Sequence, residues 1–424
     1  MNNSCADVDR HYFPMLGSLN RIRMEYDLER SRAHIVQLFL IGMSGGLILY
    51  YIFYSGIEAG DFRAYYNAAE LAIDGKSFVD ASPPGVESYA SWVYPPVVVL
   101  LYVPLTLFKS WEIAYIVWNG VSLLLAVGIA NLGIKYLDNN GVVLTKYDKL
   151  LLNGAFIFAP ISIMNYAQGQ TNFLILALLA VGFLYIENNR NSGGIIAGVL
   201  FGLAATIKLW PALFGIWLLY RRAYKGVIAA VITGIGLQAL GILLFGLSET
   251  ILFIETLVEQ RSATGVLGLP YLLGQLFNIP AQLATIISLM LIGPFVAFLF
   301  WQADGSPDTL SNTLTLFGLL TVGVLLVSPT VPQYMILTYF PAFLLLYVLN
   351  DTRTTARLSV GLLFVSVPLA PYKYPTEIIF ALIPRSALDP IASVLPTAIV
   401  NLPLFGLLVM FIAYTIYVRS NLGH

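Results

Sequence analysis

The chain has 424 residues, 58% of them hydrophobic and 11% charged, with a mean hydropathy of +0.79. Soluble domains carry about 25% charged residues, so this composition excludes a water-facing surface and implies an integral membrane protein with many spans. A formal net charge of −1 argues against nucleic acid as a partner, and the single cysteine, Cys5, excludes an internal disulfide and a thiolate metal cluster.

Apolar runs bounded by charges or turn residues follow one another along the chain, near 35–54, 94–108, 111–134, 150–166, 172–187, 194–207, 209–220, 226–246, 279–302, 311–327, 333–350, 357–370 and 396–418. The first lies behind Arg10, Arg21, Arg23, Arg30 and Arg32. That is too deep for a typical cleaved signal peptide, so it reads as a signal anchor and first span, with 1–34 as a cytoplasmic segment. Residues 35–419 then form a single all-α polytopic membrane bundle with outer loops 55–92, 247–278 and 371–394. Lysine and arginine in short loops favour the cytoplasmic side. If 94–108 crossed fully, Lys135, Lys146, Lys149, Arg221, Arg222 and Lys225 would all fall outside. This short run opens with Pro95-Pro96 and carries Pro104, which suits a re-entrant or surface hairpin. With that choice twelve helices cross, and 194–207 and 209–220 become two short helices meeting at Lys208 on the outer side. Many of the 25 Tyr, 25 Phe and 6 Trp are expected at membrane interfaces. His11, His34 and His424 are expected to be cytoplasmic surface residues.

Four polar islands interrupt the apolar pattern: Gly60-Asp-Phe-Arg-Ala-Tyr-Tyr-Asn-Ala-Ala-Glu70, Asn165-Tyr-Ala-Gln-Gly-Gln-Thr-Asn172, Lys208-Leu-Trp-Pro211 and Ser328-Pro-Thr-Val-Pro-Gln333. The topology above places all four outside. Each has a plain structural reading. Asp61 can be one of several loop acids that solvate an outer segment. Gln168, Gln170 and Asn172 can cap a turn between spans. Lys208 can snorkel to head groups. The two prolines near Ser328 can simply break a helix.

The functional reading joins them. A carboxylate at the membrane surface is a candidate general base, and a cation in a shallow groove is a candidate for a lipid phosphate. Amide side chains can hydrogen-bond sugar hydroxyls, and Tyr65, Tyr66, Tyr89, Trp92 and Tyr94 can stack on a sugar or line a lipid entrance. No His/Cys/Asp/Glu set has metal-ligand spacing, and no P-loop, dinucleotide fingerprint or Gly-x-Ser-x-Gly motif is in context.

Asp61 after the first span, Tyr65-Tyr66-x-Ala68-Ala69, Gly75, and Tyr94-Pro95-Pro96 with Pro104-Leu105 resemble the front half of family 87 glycosyltransferases. Gly169-Gln170-x-Asn172 and Gly198-x-x-x-Gly202-Leu-Ala-Ala-x-x-Lys208-x-x-Pro211 resemble the middle of that family. The resemblance runs from about Gly60 to Lys225 and weakly to Tyr347. It implies a GT-C fold and a polyprenyl-phosphate-mannose-dependent mannosyltransferase of the cell membrane, its active site extracytoplasmic. The donor is then a polyprenyl-phosphate-linked hexose, and the acceptor a glycolipid or glycan. Asp61 fills the place of the base. Lys208, with Arg63, is expected on the donor phosphate. Tyr65, Tyr66, Tyr94, Gln168, Gln170, Asn172 and Gln333 are expected on sugar or acceptor. Family members often carry histidine after the late Ser-Pro pair. Here Gln333-Tyr334 follows, and glutamine cannot titrate. A single base with attack from the opposite face implies inversion, and no cofactor or obligatory metal is expected. Three rivals stand beside this reading: another lipid-linked sugar such as arabinose or glucose in the same architecture, a lipid or glycan transporter, and a non-catalytic scaffold that kept the fold, against which Asp61 and Lys208 argue. A transport pathway should put polar groups at mid-depth on several helices, often with inverted halves; here they gather on one side and the halves differ.

Overall fold

The computed structural model describes residues 31–48, 59–85, 91–189, 193–260, 268–304, 309–328, 331–367 and 402–421. The arginines before Ser31, Cys5, His11, His424, Tyr89, Pro329 and the outer loop 371–394 lie outside the described residues. Among the described residues all regular structure is helical. In chain order the helices are α1 (Ser31–Ile48), α2 (Gly60–Ile73), α3 (Trp111–Asn139), α4 (Lys146–Phe158), α5 (Pro160–Gln168), α6 (Asn172–Asn188), α7 (Gly193–Ile207), α8 (Gly215–Tyr220) and α9 (Tyr224–Phe245). They continue as α10 (Leu247–Gln260), α11 (Leu269–Phe277), α12 (Ala281–Ala303), α13 (Leu310–Val327), α14 (Tyr339–Leu345), α15 (Thr352–Val365) and α16 (Leu402–Asn421). Tight 3-10 turns intervene at Pro96–Leu101, Val103–Phe108, Trp210–Phe214 and Pro332–Thr338.

Six of these helices, α1, α3, α9, α12, α13 and α16, are long and apolar enough to cross a membrane. A seventh span forms if α4 and α5 count as one, bent by 40°. The bend has a local cause. Pro160 opens α5, and the residue before a proline is pushed out of helical geometry; Ala159 is extended, at φ −63° and ψ 152°. Among the described residues, six or seven of the expected twelve crossings are thus matched by helices long enough to span alone. Runs 172–187, 194–207, 209–220, 333–350 and 357–370 do become helical, but as pieces of 17 residues or fewer. A lone helix needs about 20 residues to cross hydrocarbon; backbone sheltered by neighbouring helices does not. The run 94–108 is no spanning helix either. It forms two 3-10 turns, each with a proline in its first two positions.

The centre of the bundle is α13, buried continuously from Thr313 to Val327 and packed against α12, α14 and α16. The opposite case is α9. Ile228, Val231, Ile232, Ile235 and Leu243 all point outward from it, as lipid-facing side chains do. What holds α9 is a seam of small residues on α7. A Cβ on Gly198 would lie 2.0 Å from the carbonyl oxygen of Gly226, and one on Gly226 would lie 2.2 Å from that of Gly194. Close backbone approach of this kind is how helices associate where lipid removes the hydrophobic drive.

Charge sorts to the two ends of the bundle. Helix α6 runs about 22 Å from Asn172 to Glu187. At the Glu187 end, Arg221 Nε and Nη2 donate to the two carboxylate oxygens at 2.8 and 2.6 Å, and Nη2 also reaches Thr313 Oγ1 at 3.1 Å. Lys149 pairs with Asp138 at 2.7 Å at the same end, where α4 begins and α3 finishes. His34 of α1 is not a free surface residue: its ring hydrogen-bonds Asp148, which also closes a capping box with Thr145 at the start of α4. At the other end Glu249 of α10 is buried and accepts from the backbone N–H groups of Phe78 and Val79 at 3.3 and 3.2 Å. This carboxylate fastens the loop that follows α2.

The α7–α9 seam is testable. Gly198→Ala should destabilise the protein by about 1–3 kcal/mol, the usual cost of overpacking, seen as a lower Tm in detergent. Gly120→Ala, with nothing within 4 Å of its Cβ position inside helix α3, should leave Tm unchanged or slightly raised.

Candidate active site

Lys208 comes at the end of α7, its N–H still bonded to Ala204 O at 3.1 Å. The α-helix ends here because Pro211 lacks the N–H that would bond back to the Ile207 carbonyl, and its ring crowds that carbonyl. The chain turns instead into the 3-10 segment Trp210–Phe214, and Lys208 is left at the break, only 6% exposed. Its Nζ donates to Asn172 Oδ1 at 2.8 Å and to Gln170 Oε1 at 3.2 Å. The ammonium also stands over the Tyr334 ring, 3.9 Å from its centroid, and 5.8 Å from that of Tyr94. Amide oxygens and aromatic faces hold this cation.

The two amides come from the turn between α5 and α6. Gly169 ends α5 in the left-handed region at φ 66°. Gln170 N bonds Asn165 O and Gly169 N bonds Tyr166 O, both at 3.0 Å, the paired bonds of a Schellman cap. Any Cβ at Gly169 would meet the Cβ of Phe62 at 2.5 Å. The turn therefore rests directly on the first turn of α2, and Gln170 arrives beside Asp61. Gln170 Nε2 donates to Asp61 Oδ2. One side-chain amide thus touches both the carboxylate and the ammonium, with its donor end to one and its acceptor end to the other. Beyond Lys208 the network continues: Asn172 Nδ2 donates to Asn165 Oδ1 at 2.8 Å, and Asn165 Nδ2 donates to the Gln333 carbonyl at 3.0 Å.

Helix α2 begins at Ala59, fully buried with φ 48°, a conformation sparsely populated by alanine. Residues four apart share a helix face, so Tyr65 joins Asp61. Its hydroxyl pairs with Tyr94 OH at 2.8 Å and reaches Gln170 Oε1 at 3.4 Å. Tyr65, Tyr94, Trp92 and Tyr102 form a buried aromatic wall behind Asp61, with ring centroids 4.8–6.1 Å apart. Burial raises the pKa values of Tyr65 and Tyr94 well above the ordinary phenol range, so both remain neutral phenols. Burial also raises the pKa of Asp61, against the pull of Lys208 and the Gln170 hydrogen bond in the other direction. A carboxylate held this way is a stronger base than one in water.

Of the sequence candidates, the structure brings together Asp61, Tyr65, Tyr94, Gln170, Asn172 and Lys208, and adds Gln333 through its backbone. It does not bring Arg63. That residue is roughly 200° around α2 from Asp61; its guanidinium lies 5.0 Å over the Trp111 ring and donates to Pro84 O at 2.9 Å. Tyr66 packs on Phe62, and Gln168 stands in the last turn of α5, outside this hydrogen-bond chain. The sequence reading passed over three contributors: Asn165, which anchors Asn172, and the rings of Tyr334 and Trp210. Both rings were close in sequence to flagged residues, but the placing of Tyr334 under the ammonium and of Trp210 beside Tyr334 is a tertiary fact.

A family model, glycosyltransferase family 87, matches residues 92–329, more than half of the chain. The chain belongs to glycosyltransferase family 87. No curated protein and no solved structure matches it. The match takes in Gln170, Asn172 and Lys208 and ends within the weaker stretch expected between Lys225 and Tyr347, but it begins after Asp61. In this glycosyltransferase the link to Asp61 is the Gln170 hydrogen bond, not the family match.

Two substitutions separate these placements. Gln170→Leu deprives a buried carboxylate and a buried ammonium of a shared partner, at about 1–3 kcal/mol, and should lower both Tm and sugar transfer. Arg63→Ala touches neither group and should leave transfer within about threefold of wild type, under about 0.7 kcal/mol, in the same assay.

Proposed function

We propose that this glycosyltransferase moves a hexose, with mannose the expected sugar, from a polyprenyl phosphate to a glycan or glycolipid acceptor on the extracytoplasmic side, with inversion. The observation that carries the reading is the Asp61–Gln170–Lys208 arrangement. An ammonium buried among neutral dipoles is costly unless a negative group completes it. A lipid phosphate is such a group, and it can arrive from the bilayer against which the apolar helices sit. The positive end of the α6 dipole lies at the same place and favours an anion there.

In the proposed reaction the acceptor hydroxyl oxygen attacks the anomeric carbon. Its proton passes to the Asp61 carboxylate. The bond from the anomeric carbon to the phosphate oxygen breaks, and its electron pair leaves with the phosphate. Lys208 stabilises the charge that grows on that oxygen, in a site where a fixed cation counts for more than in water. Gln170 keeps the base and the cation apart, so that Asp61 does not simply neutralise Lys208. Attack opposite the leaving group inverts the anomeric centre. Sidedness follows from charge: Arg32, Lys149, Arg221 and Arg222 gather at the end away from the site, and basic residues favour the cytoplasm. The same sites suit other lipid-phosphate sugars, and donor competition distinguishes them.

The test uses purified protein, polyprenyl-phosphate-mannose and an acceptor lipid extract. Asp61→Asn should lose at least about 100-fold in turnover, the range of a general base, while still binding donor. Lys208→Ala should both weaken donor binding and slow transfer. Full turnover in Asp61→Asn would remove Asp61 as the base, and an unaltered Lys208→Ala would mean that the lysine does not serve the donor. The raised pKa of Asp61 adds a pH signature. The carboxylate is lost to protonation as pH falls, so the acid limb of kcat/KM should lie at higher pH than an exposed aspartate gives.

A further inference from the structure

Buried polar groups in folded proteins nearly always find a hydrogen-bond partner. Around Lys208, Trp210 Nε1 and Gln333 Oε1 are each shielded from solvent with no partner, and the shielded Thr171 Oγ1 lies against the Tyr94 hydroxyl. They come from three separate turns that meet at the ammonium. Thr171 lies between Gln170 and Asn172, which hold Lys208. Gln333 precedes Tyr334, whose ring lies under the ammonium, and the Trp210 ring is 5.9 Å from that of Tyr334, tilted by 34°. An aromatic surface is thus flanked by one unfilled donor, one unfilled acceptor and one hydroxyl.

A tryptophan at a membrane interface typically offers its N–H to head groups. Trp210 does not fit that role, because its nitrogen is covered while its ring is only half-buried. The combination has the chemistry of a carbohydrate subsite. A pyranose has a face of C–H groups that packs on aromatic rings and a rim of hydroxyls that both donate and accept. Because the anomeric carbon is joined directly to the phosphate oxygen, a sugar whose phosphate sits on Lys208 must lie beside that lysine.

We propose that Trp210, Tyr334 and Gln333, with Thr171, form the pyranose subsite of the donor. The sugar packs on the Trp210–Tyr334 ledge. A ring hydroxyl accepts from Trp210 Nε1, another donates to Gln333 Oε1, and Thr171 takes a third. The position that carries no histidine thus serves sugar recognition. This inference rests on the lipid-phosphate reading of Lys208.

The experiment compares two ligands on the full chain in nanodiscs: polyprenyl phosphate and polyprenyl-phosphate-mannose. The variants are Trp210→Leu, Trp210→Phe and Gln333→Ala, each checked for an unchanged Tm. Trp210→Leu and Gln333→Ala should each weaken the mannose-bearing lipid by about tenfold, or about 1.4 kcal/mol, and leave the sugar-free lipid within about twofold. Trp210→Phe keeps a ring and should fall between Trp210→Leu and wild type. Equal weakening of both lipids, or of neither, would overturn the subsite; so would a lower Tm with unchanged binding, which marks these groups as partners of structural water. A wild-type protein that binds neither lipid refutes the phosphate site itself, and the subsite with it.

Discussion

The rest of the site depends on keeping one ammonium in an apolar place. Lys208 is flanked in sequence by Ile207 and Leu209 and is almost fully buried. Two amide oxygens and a phenol ring offset part of the desolvation of its charge, and each is supplied by a different structural device. Pro211 stops α7 so that the lysine is released at a helix end. The Schellman cap at Gly169 presents Gln170 and Asn172. The 3-10 turn at Pro332–Thr338 brings Tyr334. The contact of Gly169 with Phe62 then places the first turn of α2, and with it Asp61, against the far end of the Gln170 amide. The asymmetry of that amide matters. An amide donates to the carboxylate from one end and accepts from the ammonium at the other, and so holds opposite charges in one pocket without letting them merge.

The bundle gives this site a fixed frame. One end of α6 meets Lys208, and the other is gripped by the bidentate Arg221–Glu187 pair, with Thr313 bringing in the buried α13. Helix α7, which delivers Lys208, is locked to α9 by backbone contact at its glycines. A rigid scaffold with a polar cluster at one end suits chemistry that requires a base and a cation at a set separation.

Much of this was legible in the sequence. Composition established a membrane protein, and apolar runs located the helical segments. Lys208 stood out because a lysine inside such a run demands an explanation, and Pro211 marked the break beside it. The polar islands were found because they violated a local pattern, and residues that do so tend to be functional. What could not be read were directions in space. Arg63 was expected with Lys208 on the donor phosphate, yet two residues along α2 from Asp61 it points to a different side of the helix. Gln170 read as a sugar ligand, because nothing in a sequence reveals which way an amide faces. The span count is not readable for a related reason: hydropathy reports burial, and a helix buried by protein in the middle of a bundle scores like one that crosses lipid. His34 looked like a surface residue until folding set it against Asp148.

Glu249 gives the outer helix α10 a mechanical connection to the chemistry. Its carboxylate grips two consecutive main-chain amides only a few residues beyond the end of α2, and the opposite end of α2 carries Asp61. A molecule that levers α10 outward must either break that grip or drag α2 with it. Helix α10 and the Asp61 end of α2 are thus joined through one carboxylate and the length of one helix.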